Sequence, residues 1–135
     1  MSFVVDTSAI VAILKLESDA TDYASMLTSA APRFISAGTS FECGIVVSRA
    51  LGAQGLANLR TLLEGTQVET VPFDSVQSEV GLRAYLAYGR GSGHRARLNF
   101  GDCFAYALAK TRKLPLLFKG DDFIHTDIEP ALKPA

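Results

Sequence analysis

The sequence is poor in the residues that mark several common protein classes. It contains no tryptophan, two cysteines and two histidines among 135 residues. Cys43 and Cys103 lie far apart and form no C-x-x-C pair, and a structural zinc site needs four soft ligands, so a zinc protein is not expected. In the reducing cytoplasm both thiols are expected to be small, buried, apolar side chains.

Long hydrophobic runs and an excess of positive charge are also missing. No apolar run approaches the roughly 20 residues that cross a bilayer. The N-terminal segment lacks a basic region and contains Asp6, so no secretory signal is predicted. The formal net charge is −1, which argues against binding duplex nucleic acid by bulk charge. We therefore expect a cytoplasmic protein without a membrane segment.

What the chain does contain is enough apolar sequence for a core. Hydrophobic residues make up 48% of it, which predicts one compact domain over residues 1–135. Short β-branched and apolar runs alternate with helical segments, and this alternation predicts an α/β fold. We expect a three-layer α/β/α sandwich with a mainly parallel sheet of four to five strands. The predicted strands lie at 3–5, 34–36, 68–71 and 115–118, before a turn-rich tail and an edge strand.

Helices are predicted between these strands. The third is expected to break at Gly52 and Gly55, and it carries an apolar stripe that includes Phe41 and Ile45. The predicted helices cover residues 9–16, 19–30, 40–51, 56–63, 75–88 and 102–113. A glycine-rich segment at 89–93 is predicted to be a flexible loop.

Several acidic residues fall where strands end and helices begin. Asp6 follows the first strand, Asp121 and Asp122 follow the last, and Glu42 and Asp102 begin helices within apolar sequence. Helix capping explains any one of them. Together they are expected to meet beyond the carboxyl ends of the strands, where their repulsion calls for a cation. Mg²⁺ or Mn²⁺ with oxygen ligands suits such a site and can activate a water toward a phosphodiester.

A basic segment surrounds one of these acids. Residues 80–119 contain eight basic residues and a single acid, Asp102. Arg90, His94, Arg95 and Arg97 lie in or beside the glycine-rich loop, where arginines can hold phosphates; a solvated, mobile loop is the alternative. The run GSGHRA formally matches a dinucleotide-binding pattern, but it follows a helix rather than a strand, so we reject that interpretation.

The order of these motifs resembles the PIN-domain ribonucleases, specifically the VapC-type toxins of bacterial toxin–antitoxin pairs. The resemblance extends over nearly the whole chain. It rests on VVDTSA at residues 4–9, FEC at 41–43, LNFGDCFAYALA at 98–109, LLFKGDDF at 116–123 and TDI at 126–128.

The resemblance implies a Mg²⁺- or Mn²⁺-dependent endoribonuclease. Asp6, Glu42 and Asp102 match the three core acids of the family, and we expect them to be both catalytic residues and metal ligands. Asp121 is favoured as the fourth such acid over Asp122, because many relatives keep a merely structural acid at the latter position. Asp6 and Asp102 are expected to hold the principal cation.

The resemblance also implies contacts and partners. Thr7 and Ser8 match polar positions beside the first acid, where they are expected to contact substrate or a metal-bound water. Arg95 and Arg97 are predicted to bind substrate and stabilise charge on the phosphate. The expected partners are an RNA substrate, a cognate antitoxin and a second copy of the chain in a homodimer.

Two other functions remain open. One is a structure-specific DNA nuclease, which uses the same chemistry on another substrate. The other is a catalytically silent PIN-like binding module, whose acids only receive an arginine from a partner protein. A phosphatase of the haloacid dehalogenase type is disfavoured, because the segment Asp6-Thr7-Ser8 lacks the second aspartate of its D-x-D motif.

Overall fold

In a computed structural model, which describes residues 1–133, four strands and five helices follow one another along the chain. The strands are β1 (Phe3–Val5), β2 (Arg33–Ser36), β3 (Glu69–Val71) and β4 (Leu116–Leu117). The helices are α1 (Thr7–Leu14), α2 (Ala20–Leu27), α3 (Ala37–Gly65), α4 (Ser75–Tyr88) and α5 (Phe100–Arg112). No helix within this described range is long and apolar enough to cross a membrane.

The four strands form one parallel sheet in the order β3-β2-β1-β4. The chain winds outward from β1 to β3 and then returns to add β4 on the other side of β1. The direction of winding therefore reverses between β1 and β4, and a crevice opens beyond the carboxyl ends of these two strands. The predicted α/β class and parallel sheet are confirmed.

The central strand β1 is buried on both faces, as expected for a strand inside a parallel sheet. Phe3 and Val5 pack in a cluster with residues of α1, α2 and α3. Val4 points into a second cluster with residues of α4 and α5, including Tyr106 and Leu108. These two clusters are the interfaces between the three layers of the sandwich.

The expected edge strand is reduced to one bridge in the described part of the chain, between Leu116 and Pro130. The Leu116 N–H donates to Glu129 O at 2.9 Å, and the Ala131 N–H donates to Leu116 O at 2.9 Å. The observed sheet accordingly has the lower of the two predicted strand numbers.

The third helix runs further than the sequence predicts. Residues Ala37–Gly65 form one helical run with a kink at Gly52, whose backbone has φ 69° and ψ −161°. Glycine adopts this left-handed conformation at little steric cost. The second predicted break, at Gly55, is wrong: this residue lies inside the helix, packed against Leu51 and Val47.

The apolar stripe of α3 lies on the surface rather than in the core. Phe41 is 72% exposed and Ile45 43% exposed. The buried face of the helix is instead formed by Cys43 and Val47. Both cysteines are free and buried, as predicted.

Candidate active site

Asp6 stands at the junction of β1 and α1, where it caps the helix. Its Oδ2 accepts hydrogen bonds from the Ser8 N–H at 3.0 Å and from Ser8 Oγ at 2.6 Å. The backbone N–H of Lys119 donates to Ser8 Oγ at 2.9 Å, which links this cap to the loop after β4. The other carboxylate oxygen, Oδ1, is buried and has no hydrogen-bond partner among residues 1–133. Such an oxygen is costly to bury unless a ligand meets it.

Asp102 lies in the first turn of α5 and forms a capping box with Asn99. The Asn99 N–H donates to Asp102 Oδ2 at 2.9 Å, and the Asp102 N–H donates to Asn99 Oδ1 at 2.9 Å. This reciprocal pair satisfies two backbone donors at the start of the helix. It also fixes the orientation of a carboxylate that is only 7% exposed.

Glu42, in the second turn of α3, is held between α1 and α5. Its Oε1 accepts a hydrogen bond of 2.5 Å from Thr7 Oγ1. Its Oε2 packs so closely on Gly101 that a Cβ at that position would lie 1.7 Å away. Any side chain directly before Asp102 would therefore displace the Glu42 carboxylate.

The three acids are close enough to perturb one another. Burial raises the pKa of Asp6 to about 6, and the charge of Glu42 adds to this, against the hydrogen bonds from Ser8. Burial likewise raises the pKa of Asp102, followed by the charge of Asp6, against the Asn99 hydrogen bond. Crowded, buried carboxylates of this kind favour either a proton or a cation.

The two acids after β4 are placed differently. Asp122 contributes to the raised pKa of Asp102, so its carboxyl group lies beside the acidic centre. Asp121 and Asp122 are both exposed and line a neighbouring cavity. The contact with Asp102 favours Asp122 as the fourth acid, whereas the sequence favours Asp121, whose role stays a prediction.

The hydroxyl groups beside Asp6 are already engaged. Thr7 donates to Glu42 and Ser8 donates to Asp6, so both orient carboxylates, and their predicted contacts with substrate stay predictions. The predicted arginines Arg95 and Arg97 are exposed on the rim of the site and line the same cavity as Asp121.

Sequence reasoning missed three positioning groups of this site. The loop after β4 is held by Lys119, whose Nζ contacts Glu17 at 2.9 Å and Asp19 at 3.0 Å. Gly101 makes room for the Glu42 carboxylate, and Asn99 completes the capping box of Asp102. The pattern N-x-x-D before an apolar helix was the available signal for Asn99.

The residues suit a cation that keeps part of its water shell. Among residues 1–133, no three His, Cys, Asp or Glu side chains converge closely enough to form a complete protein cage for a metal. Mg²⁺ is usually bound by only one or two carboxylates together with water and substrate phosphate. The unpartnered Oδ1 of Asp6 and the neighbouring Asp102 supply such a pair.

Comparison with known proteins places the chain in a family. The PIN domain matches residues 3–129. Ribonuclease VapC28 of Mycobacterium tuberculosis is 46% identical over 129 residues, which span 96% of this chain and 97% of that protein. The chain belongs to the VapC ribonucleases of the PIN-domain family. The resemblance stated from the sequence motifs is thereby confirmed.

Solved structures of this family share the fold. Mycobacterium tuberculosis VapC20, described as a Sarcin-Ricin loop cleaving toxin, superposes with a TM-score of 0.73 at 16% identity, over 95% of this chain and 99% of that one. A chain of the toxin–antitoxin system VapBC-5, also from Mycobacterium tuberculosis, gives a TM-score of 0.62 at 26% identity, over 96% and 98% of the two chains.

Proposed function

We propose that this chain is a divalent-metal-dependent endoribonuclease that acts as the toxin of a toxin–antitoxin pair. Its membership of the VapC ribonucleases supports RNA as the substrate. The single observation that carries the metal dependence is the buried, unpartnered Oδ1 of Asp6 beside a second buried acid, Asp102. Neither acid forms an ion pair within residues 1–133, and burial raises the pKa of both.

Each acid has a distinct task in this proposal. Asp6 and Asp102 hold Mg²⁺, or Mn²⁺ in its place. Glu42, oriented by Thr7, completes the site directly or through water, and Asp121 or Asp122 adds the fourth carboxylate. A bound divalent cation supplies a water of lowered pKa and neutralises charge on the scissile phosphate. Ser8 and Asn99 preorganise the two principal carboxylates, so little reorganisation is needed when substrate binds.

The partners in this proposal are a cognate antitoxin and a second copy of the chain. The antitoxin is supported by the likeness to the toxin–antitoxin system VapBC-5. A protein partner is also supported by an apolar groove of about 610 Å³ between α4 and α5. Leu82, Tyr85 and Phe100 line this groove and remain exposed. We place this activity in the cytoplasm, where both free cysteines stay reduced.

The proposed activity is tested with purified, antitoxin-free protein and total bacterial RNA. We expect discrete fragments with Mg²⁺ or Mn²⁺, none with EDTA, and none with the folded variant Asp6→Asn. Single- and double-stranded DNA are treated in parallel. Cleavage of DNA in preference to RNA would make the protein a DNA nuclease. A folded, metal-loaded protein that cleaves neither substrate would indicate the silent binding module.

A further inference from the structure

A second polar site lies directly beside the acidic centre. It is a cavity of about 420 Å³ between the loop that joins α4 to α5 and the turn that follows β4. Three arginines, two aspartates and one histidine line it: Arg90, Arg95, Arg97, Asp121, Asp122 and His125. Asp122 belongs to both sites, because its carboxyl group also reaches Asp102. The arginine cleft, as we name this cavity, is therefore contiguous with the acids proposed to cleave RNA.

The three arginines have no ionic partner in the described residues. None of their guanidinium groups forms an ion pair within residues 1–133, although two carboxylates line the same cavity. Some cations elsewhere do form ion pairs: Lys119 contacts two carboxylates, and Lys110 contacts Asp127 at 2.5 Å. Three free guanidinium groups around one cavity give it an excess of positive charge and unused hydrogen-bond donors.

The loop that carries the arginines is anchored at both ends, while the flexibility predicted from its glycines stays a prediction. A bridge pairs Gly89 with Leu98, and the Arg90 N–H donates to Leu98 O at 2.9 Å. Ala96 and Leu98 are buried, which anchors the loop between the arginines. Its conformation thus fixes where the arginine backbones lie while their side chains stay exposed.

Arg97 has a backbone φ of 56°, in the left-handed region, a conformation it shares with Leu16, Gln67 and Lys113. A substitution at this position must therefore tolerate a positive φ. Arg97 lines the cleft together with Arg90 and Arg95.

We propose that the arginine cleft binds phosphates of the RNA strand that flank the scissile bond. This inference rests on the proposed function and adds the path of the substrate to it. The planar guanidinium fork matches phosphate oxygens and keeps its charge at any physiological pH. Ala96 is the one apolar residue of the lining, so the cleft suits a charged backbone better than a peptide or a stacked base.

The lining keeps a net positive charge, because three arginines outweigh Asp121 and Asp122. His125 offers a further polar group in the same lining. A phosphate is therefore expected to bind near the arginines rather than near the carboxylates.

The inference is tested by binding, separately from cleavage. The probe is a fluorescein-labelled, single-stranded RNA of 12 mixed nucleotides, measured by anisotropy in EDTA at several salt concentrations. The variants are Arg95→Gln and Arg97→Asn; asparagine tolerates the left-handed backbone. Each is expected to weaken binding about five-fold and to lower the salt slope by about 0.7, the value for one lost phosphate contact on a single strand. RNAs of different sequence should be affected equally.

Arg49→Gln is the charge-matched control, since Arg49 is exposed on α3 outside the cleft. Equal binding and equal salt slopes for the cleft variants and this control would overturn the inference. So would cleft variants that keep RNA binding but escape inhibition by the antitoxin, which would assign the cleft to a protein partner. Loss of RNA binding together with an inactive wild type would overturn the proposed function and leave the cleft as an RNA-binding site.

Discussion

The acidic centre and the arginine cleft touch at Asp122, yet they are built in opposite ways. Asp6 and Asp102 are 3% and 7% exposed, and each is fixed by a helix cap. The arginines are exposed on a loop whose backbone alone is fixed. The comparison indicates that the buried acids are preorganised at a cost in stability, whereas the exposed arginines stay solvated.

The cost of the acidic centre follows from its charges. Two buried carboxylates with raised pKa values destabilise the folded state at neutral pH, because the charged form is less favourable there than in the unfolded chain. The arginines impose no such penalty because water still solvates them. Substitutions in the acidic centre should therefore lower activity and raise stability. Substitutions in the cleft should leave stability unchanged.

The largest expected effect is a loss of RNA cleavage in the variant Asp102→Asn. We expect the rate to fall at least about a hundred-fold, because a cation ligand contributes several kcal/mol of transition-state stabilisation. The melting temperature should stay equal or rise, since the amide oxygen can keep the Asn99 contact while repulsion from Asp6 is removed. Rates are measured on one RNA fragment under single-turnover conditions.

Asp127→Asn is the matched control for that variant. Asp127 contacts Tyr106 and Lys110, away from the acidic centre. It should cleave at the wild-type rate and lose up to about 1 kcal/mol of stability. Equal cleavage by Asp102→Asn and Asp127→Asn would refute the role given to Asp102.

Gly101→Ala should reduce cleavage about ten-fold or more without unfolding the protein. The new Cβ would overlap Glu42 Oε2, so the Glu42 carboxylate must move, while alanine favours the helix by about 1 kcal/mol over glycine. Gly81→Ala is the control, because its Cβ would meet Cys103 O at 3.5 Å, an ordinary contact. Similar cleavage by both variants would show that the position of Glu42 does not matter.

The choice between the two acids after β4 gives a smaller effect. Asp122→Asn should lower cleavage about ten-fold, because Asp122 reaches Asp102, and Asp121→Asn should lower it less than about three-fold. Cleavage rates of the two variants under the same Mg²⁺ concentration decide between them. A larger loss of cleavage for Asp121→Asn than for Asp122→Asn would make Asp121 the fourth acid, as the sequence favours.

The smallest expected effect is a change in the pH dependence of the free energy of unfolding, measured in EDTA. The folded-state pKa of Asp6, about 6, lies above the ordinary aspartate value of 3.8, so its contribution to stability falls as pH rises through 6. We expect denaturation to show a loss on the order of 1 kcal/mol from pH 5 to pH 7 through Asp6. Asp6→Asn should flatten this slope. Asp127→Asn should not change it, because the lowered pKa of Asp127 acts only at more acidic pH. A wild-type stability that rises over this range would contradict the assignment.

The sequence predicted the parts of the molecule that depend on local signals. The bounds of α4 at Ser75–Tyr88 match the prediction, since a capping aspartate begins it and a glycine ends it. Asp6 was likewise predicted to lie between β1 and α1, and Asp102 in the first turn of α5, as observed. These features are set by neighbouring residues in the chain, so they can be read from it.

What sequence reasoning could not supply depends on contacts between distant segments. The sequence showed the apolar stripe of α3. It did not show that Cys43 and Val47 form the buried face of this helix instead. The packing of Gly101 on Glu42 joins residues on two different helices. Asp121 and Asp122 follow Gly120 directly, and the conformation of this turn decides which of the two side chains faces Asp102. The sequence does not reveal that conformation.

The most direct test of the account is a calorimetric titration of Mn²⁺ into the wild-type protein and into Asp6→Asn at pH 7. We predict that the wild type binds Mn²⁺, that Asp6→Asn loses this binding while folded, and that Asp127→Asn retains it. Equal binding by wild type and Asp6→Asn would contradict the claim that the buried acid pair is the cation site of this ribonuclease.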